Sequence, residues 1–240
     1  MQITAGTMDF RELNRAICAS PDTDITIDEC YGQRFIGDGL SGRSITINGT
    51  PGNALGAYFN GGVIRVNGNA QDAMGDTMND GTIYVHGNSG DATGYAMRGG
   101  KIFVRGNAGY RAGIHMKAYK DKVPTLVIGG RVGSFLGEYQ AGGYIVVLGI
   151  GEDGRLPVSN FLATGMHGGK IFLRSDTPPA QLPASVLTHE ASAEDKAEID
   201  GLVAEYCAEF GGDKDAILSG RFYVVYPDTA NPYKELFVAN

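Results

Sequence analysis

The stretch on which the fold depends is Gly94-Tyr-Ala-Met-Arg-Gly-Gly-Lys-Ile-Phe-Val-Arg-Gly106, because the chain carries related versions of it on both sides. Two of these versions lie upstream, at residues 56–68 and 75–87. The leading glycines of successive copies are 19 residues apart: they are Gly37, Gly56, Gly75, Gly94 and Gly113. A fixed period of this length is typical of a repeat architecture.

Each copy contains the same sequence of local patterns. An alternating run such as Lys101-Ile-Phe-Val-Arg105 places two β-branched residues on one face, which predicts a half-buried strand. A glycine follows each run, and in three copies an asparagine follows the glycine, which predicts a turn. A large apolar residue lies three positions after each leading glycine, which predicts a stacked core. These core residues are Leu40, Phe59, Met78, Met97 and Met116.

Residues that recur at the same position of each copy form columns in the stacked repeats. These columns predict an all-β fold, a parallel β-helix of about seven rungs of 19 residues over residues 31–175. Insertions lengthen the spacing after Gly113 and again after Gly149. Residues 1–30 are predicted to form an N-terminal cap, with a short helix capped by Thr7 and a strand from residue 24 to residue 30. Residues 176–240 are predicted to form a C-terminal tail.

Within this tail, Ser192 is expected to cap a helix that runs to about Phe210, with Asp195 at its third position. A strand is expected at residues 221–226 and an extended end at residues 227–240. The apolar side of the helix is expected to dock on the last rung, with its acidic side in solvent.

Composition and charge exclude several classes of function. The formal net charge is −7, with ten acidic residues and two lysines between Asp176 and Asp215, and no basic stripe suits nucleic acid. Three distant cysteines fit reduced thiols in the cytoplasm better than a disulfide framework. The sequence shows neither a leader nor an apolar run of about 18 residues, so neither secretion nor membrane insertion is expected.

No catalytic, cofactor-binding or metal-binding residue is predicted for this chain. The segment Gly37-Asp-Gly-Leu-Ser-Gly42 matches a dinucleotide fingerprint, but a predicted strand rather than a helix follows it. His86 is expected at an exposed position. His115 and His167 lie near the disturbed rungs, where they could meet, but their spacing is not that of metal ligands. The cysteines have no local base, and the acidic residues form no stacked column.

One polar and aromatic cluster, at residues 109–122, lies beside an insertion. Aromatic and arginine side chains on such a loop suggest contact with a partner, and a solvated loop is the alternative. The candidate contact residues are Tyr110, Arg111, His115, Lys117, Tyr119 and Lys120.

The serial glycine and methionine units resemble the GXGXG domain of glutamate synthase. The stretches that carry the resemblance are Gly75-Asp-Thr-Met-Asn79, Gly94-Tyr-Ala-Met-Arg-Gly-Gly100, Gly113-Ile-His-Met-Lys117 and Gly137-Glu-Tyr-Gln-Ala-Gly-Gly143. That domain is the C-terminal right-handed β-helix of the large subunit, and stand-alone versions occur as separate subunits. The tail from Thr188 to Tyr233 is similar to those stand-alone versions.

The resemblance implies a non-catalytic scaffold subunit of a cytoplasmic glutamate-synthase-type complex. In that family, glutaminase chemistry belongs to a domain with an amino-terminal cysteine, and reduction belongs to an FMN and iron–sulfur domain. This chain begins Met1-Gln2 and has no cysteine cluster. The expected partners are therefore a class II glutamine amidotransferase subunit and an FMN/iron–sulfur synthase subunit, which move amide nitrogen to 2-oxoglutarate or a related acceptor.

Three alternatives stay open at this point. The chain also resembles, more weakly, the β-helical C subunit of formylmethanofuran dehydrogenase. A stand-alone carbohydrate-active enzyme would need an acidic groove with exposed aromatic residues. A self-assembling binding module, a homo-oligomer, would follow from imperfectly capped ends.

Overall fold

The computed structural model describes residues 1–228, which form a single eleven-stranded sheet with three helices. The strands are β1 (Gln2–Thr4), β2 (Asp24–Tyr31), β3 (Arg43–Thr50), β4 (Asn60–Asn67), β5 (Asp80–Val85), β6 (Lys101–Val104), β7 (Thr125–Ile128), β8 (Ala141–Val147), β9 (Gly168–Arg174), β10 (Val186–Glu190) and β11 (Phe222–Pro227). The helices are α1 (Phe10–Ala19), α2 (Ala193–Phe210) and α3 (Lys214–Ser219). The predicted extended end beyond residue 228 lies outside the described residues.

Strands β1 to β9 pair in chain order and in parallel, and β11 joins β9 antiparallel before pairing with β10. The register follows the period of the sequence, because Ile45 pairs with Ile64, Ile64 with Ile83 and Ile83 with Ile102. The turns between strands also hydrogen-bond to one another: the Gly56 N–H donates to the Ile36 carbonyl at 2.8 Å. The predicted strands are therefore confirmed.

The predicted fold class, an all-β right-handed parallel β-helix, is wrong. The structure is one mostly parallel sheet accompanied by helices, which is an α/β-like arrangement. The spacing of the glycines predicts where strands recur and pair, but it does not predict what the segments between them become. Those segments are turns and isolated bridges, and helices supply part of the packing against the sheet.

The inner face of the sheet carries the larger core. The β-branched residues of β2 to β9 pack there against the predicted apolar column, of which Phe59, Met78, Met97 and Met116 are fully buried. Leu40, at the N-terminal end of the column, is only partly buried. Gln140 occupies the same position, three residues after Gly137, and is also fully buried.

Helix α2 covers the outer face from β5 to β9. Its apolar residues Ile199, Val203 and Tyr206 share a second core with Phe103 and Phe172. The predicted Ser192 cap and the helix end at Phe210 are confirmed, and Asp195 completes a capping box with Ser192. The predicted docking on the last rung is wrong, because the helix crosses five strands rather than closing one end.

Helix α1 packs beneath the first strands through Leu13 and Ile17. Its cap is Asp9 rather than Thr7, since the Asp9 carboxylate accepts the Arg11 N–H at 2.9 Å. Within residues 1–228, no helix is long and apolar enough to cross a bilayer.

Candidate functional site

Stacked aromatic rings lie on the turns that precede β6, β7, β8 and β9. The His115 ring stacks on the Tyr139 ring with centroids 5.1 Å apart and planes at 10°, and Tyr95 meets His115 edge-on at 6.0 Å. A hypothetical Cβ on Gly165 would lie 2.5 Å from the Tyr139 ring, so the absence of a side chain at Gly165 leaves room for this ring.

A second row of rings runs beside the first. Phe135 and Phe161 stack with centroids 4.7 Å apart and planes at 18°. The Arg111 guanidinium lies 5.0 Å from the Phe135 centroid, and its Nε contacts the Glu138 carboxylate at 3.1 Å. We call the two rows together the aromatic surface: Tyr95, Arg111, His115, Phe135, Tyr139 and Phe161.

The aromatic surface presents rings to solvent rather than to the core. Phe161 is 61% exposed, and Tyr95 and Tyr139 are each 38% exposed. Since Glu138 pairs with the one guanidinium of the surface, what remains accessible is mostly apolar. Exposed aromatic residues beside an arginine are the composition of protein-binding hot spots.

Five residues of this surface hold left-handed backbone conformations, with φ of 58° at Arg111, 56° at His115, 65° at Phe135, 53° at Tyr139 and 62° at Phe161. This region costs a side-chain-bearing residue about 1–2 kcal/mol, and glycine or asparagine adopts it more readily. Aromatic side chains therefore occupy positions where the backbone favours smaller residues. The same conformation recurs at the equivalent positions of other copies, such as Ala73 and Ala96, so it belongs to the repeat, and what distinguishes this surface is the size of its side chains.

Only two of the six predicted contact residues, Arg111 and His115, lie on the aromatic surface. Tyr110 is exposed, and its N–H donates to the Asp91 carboxylate at 2.8 Å. Lys117 is exposed just after the turn of His115. In the insertion, the Lys120 ammonium lies 5.3 Å from the centroid of the Tyr119 ring, so these two contact each other.

The sequence reasoning missed Tyr95, Phe135, Tyr139 and Phe161. The available pattern was positional: His115 and Tyr139 each lie two residues after a leading glycine, and Arg111 and Phe135 each lie two residues before one. These columns hold small residues at Ala73 and Ala96 and aromatic or basic residues beside the insertions, but they are also aromatic in the first copies, at Phe35 and Tyr58.

The histidines outside this surface have structural partners. His86, predicted to be exposed, is half-buried, and its Nε2 lies 3.1 Å from the Glu209 carboxylate. The His167 Nδ1 lies 3.1 Å from the Gly165 carbonyl, and the predicted meeting of His115 with His167 is not seen, since His115 stacks on Tyr139. Residues 1–228 contain no group of three or more His, Cys, Asp or Glu side chains arranged to hold a metal ion.

One group has the composition of a catalytic triad without its geometry. His189 Nε2 lies 2.9 Å from the Asp195 carboxylate, and Ser192 is close by. However, the Ser192 Oγ accepts the Asp195 N–H at 3.1 Å, and the Asp195 carboxylate accepts the Ser192 N–H at 2.9 Å. These contacts cap α2, so the hydroxyl faces no base.

Charged side chains of α2 pair with the outer face of the sheet. Glu205 accepts from the Tyr84 hydroxyl at 2.9 Å and from the Lys101 ammonium at 2.6 Å, and Glu198 accepts from Lys170 at 2.5 Å. Burial, together with the Glu205 carboxylate, raises the pKa of Tyr84 well above its usual range. This face is therefore occupied by the chain itself, and the aromatic surface is the accessible candidate site.

Comparison with known proteins gives two results. A family profile described as the GXGXG motif matches residues 2–228. The chain is also 44% identical over 248 residues to an uncharacterized protein of Methanocaldococcus jannaschii, with 98% of this chain and 95% of that protein covered. The resemblance to the GXGXG domain is therefore confirmed, and the assignment of a glutamate-synthase-like domain that it implies is supported. The chain belongs to the GXGXG motif family.

Proposed function

We propose that this protein is a non-catalytic scaffold subunit of a cytoplasmic glutamate-synthase-type complex. Family membership over residues 2–228 carries the general assignment. The stacked and exposed rings of the aromatic surface support a role in partner binding. The complex would transfer the amide nitrogen of glutamine to 2-oxoglutarate or a related acceptor.

Two of the four histidines are engaged in holding the fold. His86 contacts Glu209, and His189 contacts Asp195. Both carboxylates belong to α2, so both contacts fix this helix to the sheet. The proposed chemistry therefore belongs to partner subunits: a class II glutamine amidotransferase and a chain that carries FMN and an iron–sulfur cluster.

The shape of the sheet suits a spacer. Eleven strands at a spacing of about 4.8 Å extend over roughly 50 Å. Hydrogen bonds join every neighbouring pair, so the two ends of the sheet are held at a fixed separation. Such an element can keep two catalytic subunits in register, and the aromatic surface lies on the half of the sheet that contains β6 to β9.

Affinity purification from the native cell tests the proposal. The tagged chain is expected to bring down an amidotransferase and a flavoprotein, identified by mass spectrometry and by the flavin absorbance of the complex. Tyr139→Asn with Phe161→Asn is expected to abolish this association, because asparagine tolerates the left-handed backbone while removing the rings.

Tyr58→Asn is the matched control, since Tyr58 is also exposed, aromatic and left-handed at φ 54°, but lies outside the aromatic surface. It is expected to leave the association intact. The proposal fails if neither enzyme co-purifies with the native chain. If the double variant binds the partner enzymes as tightly as the Tyr58 control does, the aromatic surface is not the binding site, although the scaffold proposal itself stands.

A further inference from the structure

A small polar pocket lies between the loop after β8, the end of β9 and the start of β11. Its volume is about 110 Å³. A water molecule takes up about 30 Å³ in the liquid, so the space suits a ligand of a few heavy atoms. We call it the Arg174 pocket; the lining residues used below are Gly154, Arg174, Ser175, Asp176, Gly220 and Arg221.

The Arg174 guanidinium has unused donors. Its Nε is buried and has no hydrogen-bond partner among residues 1–228. Its contact with the Leu148 carbonyl, through Nη1, is long at 3.5 Å. A guanidinium presents five N–H donors, and a buried charged donor without an acceptor is costly. The buried Nε itself is out of reach of a ligand, so an oxyanion in the pocket would bind the remaining donors of this guanidinium, the group for which oxyanions form the best paired hydrogen bonds.

The room around this guanidinium depends on a glycine. A hypothetical Cβ on Gly220 would lie 2.5 Å from the Arg174 Nε. Gly220 has φ of −62°, a value open to any residue, so its backbone conformation does not require glycine. Glycine at this position instead lets the Arg174 guanidinium pack directly against the backbone of residue 220.

The other lining groups limit the charge of a ligand. Arg221 is already paired, since its Nε lies 3.3 Å from the Glu190 carboxylate and its Nη1 donates to the Asp176 carbonyl at 3.2 Å. The Ser175 Oγ is committed to the backbone of Thr177. The exposed Asp176 carboxylate packs against Gly154 at the rim, where it disfavours a second negative charge on any occupant.

We propose that the Arg174 pocket binds a small monoanionic oxyanion, either the carboxylate of a small acid or the monobasic form of phosphate, through the Arg174 guanidinium. This site is separate from the aromatic surface and does not depend on the proposed complex.

Titration of the isolated chain with sodium acetate and with sodium phosphate tests the proposal, against sodium chloride at equal ionic strength. The readouts are the thermal midpoint and the ¹H–¹⁵N resonance of the Arg174 Nε–H. One or both oxyanions are expected to raise the midpoint above the chloride value and to move this resonance. The salt that produces these effects shows whether the ligand is a carboxylate or phosphate. Phosphate is expected to bind better at pH 6 than at pH 8, where it is mostly dianionic.

Three variants make the test specific to the pocket. Arg174→Met, which keeps the stem but removes the donors, is expected to weaken binding by about tenfold or more. Asp176→Asn is expected to tighten it by about threefold, because it removes the repelling charge. Arg155→Ala changes an exposed arginine of the neighbouring loop and is expected to have no effect.

The proposal is overturned if chloride reproduces the shifts caused by both oxyanions, or if Arg174→Met binds them as tightly as the native chain does. Should Arg174→Met fail to fold, Gly220→Ala replaces it, because the added methyl group would lie 2.5 Å from the Nε and would displace the guanidinium. Undiminished binding in Gly220→Ala would also overturn the proposal.

Discussion

Arg65 of β4 and Glu209 of α2 are 144 positions apart in the chain, yet the Arg65 Nε lies 3.0 Å from the Glu209 carboxylate. The same carboxylate contacts His86, and the Arg65 guanidinium lies 5.0 Å from the Tyr84 ring. The end of α2 is therefore tied to β4 and to the region of β5 by one acidic side chain.

A double-mutant cycle on Arg65→Met and Glu209→Gln measures this link. We expect a coupling of about 1 kcal/mol, discounted for the solvent that reaches the 40% exposed Arg65 side chain. Urea unfolding of the four proteins gives the value. The control cycle pairs Arg65→Met with Glu198→Gln, since Glu198 binds Lys170 instead, and it is expected to give no coupling. Equal couplings in the two cycles would contradict a direct contact.

Tyr206 gives a test at alkaline pH. Burial raises the pKa of Tyr206 to about 12, above the value of about 10 for an exposed phenol. Between these values the phenol ionises in the unfolded chain but stays protonated in the folded one. The stabilisation is therefore complete below pH 10 and is lost as pH rises, by about 1.4 kcal/mol per pH unit for this group.

Tyr206→Phe keeps the ring and removes the titration, so the free energy of unfolding should fall less steeply with pH above 10. At neutral pH the variant should lose about 1 kcal/mol, because the Tyr206 hydroxyl donates to the Arg105 carbonyl at 3.0 Å. Tyr119→Phe changes an exposed phenol and should leave the slope unaltered. Identical slopes for all three proteins would show that Tyr206 does not titrate as the geometry indicates.

Gln140 is a polar residue at a core position that methionine fills in three earlier copies. Its Oε1 is buried without a hydrogen-bond partner among residues 1–228, while its Nε2 donates to the Gly142 and Gly143 carbonyls at 3.3 and 3.1 Å. We expect Gln140→Met to raise the free energy of unfolding by about 1 kcal/mol, because it removes a desolvated acceptor.

The reverse exchange is the control for Gln140. Met116→Gln places an amide in the same column one copy earlier and should lower the free energy of unfolding by about 1–3 kcal/mol. Denaturant midpoints of the two variants give the comparison. Gln140→Met could instead lose as much stability as Met116→Gln. That result would mean that the hydrogen bonds from the Gln140 Nε2 to the two glycine carbonyls stabilise the fold by more than the unpaired Oε1 destabilises it.

Phe161 tests whether the aromatic surface stabilises the fold. In Phe161→Asn, relief of the left-handed backbone is worth about 1 kcal/mol, and loss of the stack on Phe135 costs about 0.5–1.5 kcal/mol. The two effects should nearly cancel, so calorimetry should show little change in the melting temperature. A loss above about 2 kcal/mol would assign the ring to folding rather than to recognition.

Much of the fold could be predicted because its causes are local. The alternation around Ile102 and Val104 specifies a strand with one buried face, and Ser192 with Asp195 specifies the start of α2. The position of α2 could not be predicted, because it depends on contacts as distant as Arg65 with Glu209. One indication was present in the sequence: the outer-face position that Phe103 occupies in β6 is also apolar in the next three strands, at Val127, Val146 and Phe172.

The candidate site was predicted only in part for a similar reason. Arg111 and His115 stand out in the sequence as members of one cluster, whereas their neighbours Phe135 and Tyr139 lie 24 residues further along, beyond an insertion. Stacking between turns depends on the pairing of β6, β7 and β8. The fold class was predicted wrongly because the 19-residue spacing of the glycines specifies where strands recur along the chain, but it does not specify the structure of the segments between them.

The course of α2 across the sheet also sets an order of events during synthesis. The strands from β1 to β9 pair with their chain neighbours, so each can add to the sheet as soon as it leaves the ribosome. The apolar outer face at Tyr84, Phe103 and Phe172 stays uncovered until residue 210 has emerged. A nascent chain stalled before Ala193 is thus expected to expose a broad apolar sheet face, whereas a chain with a complete α2 covers that face.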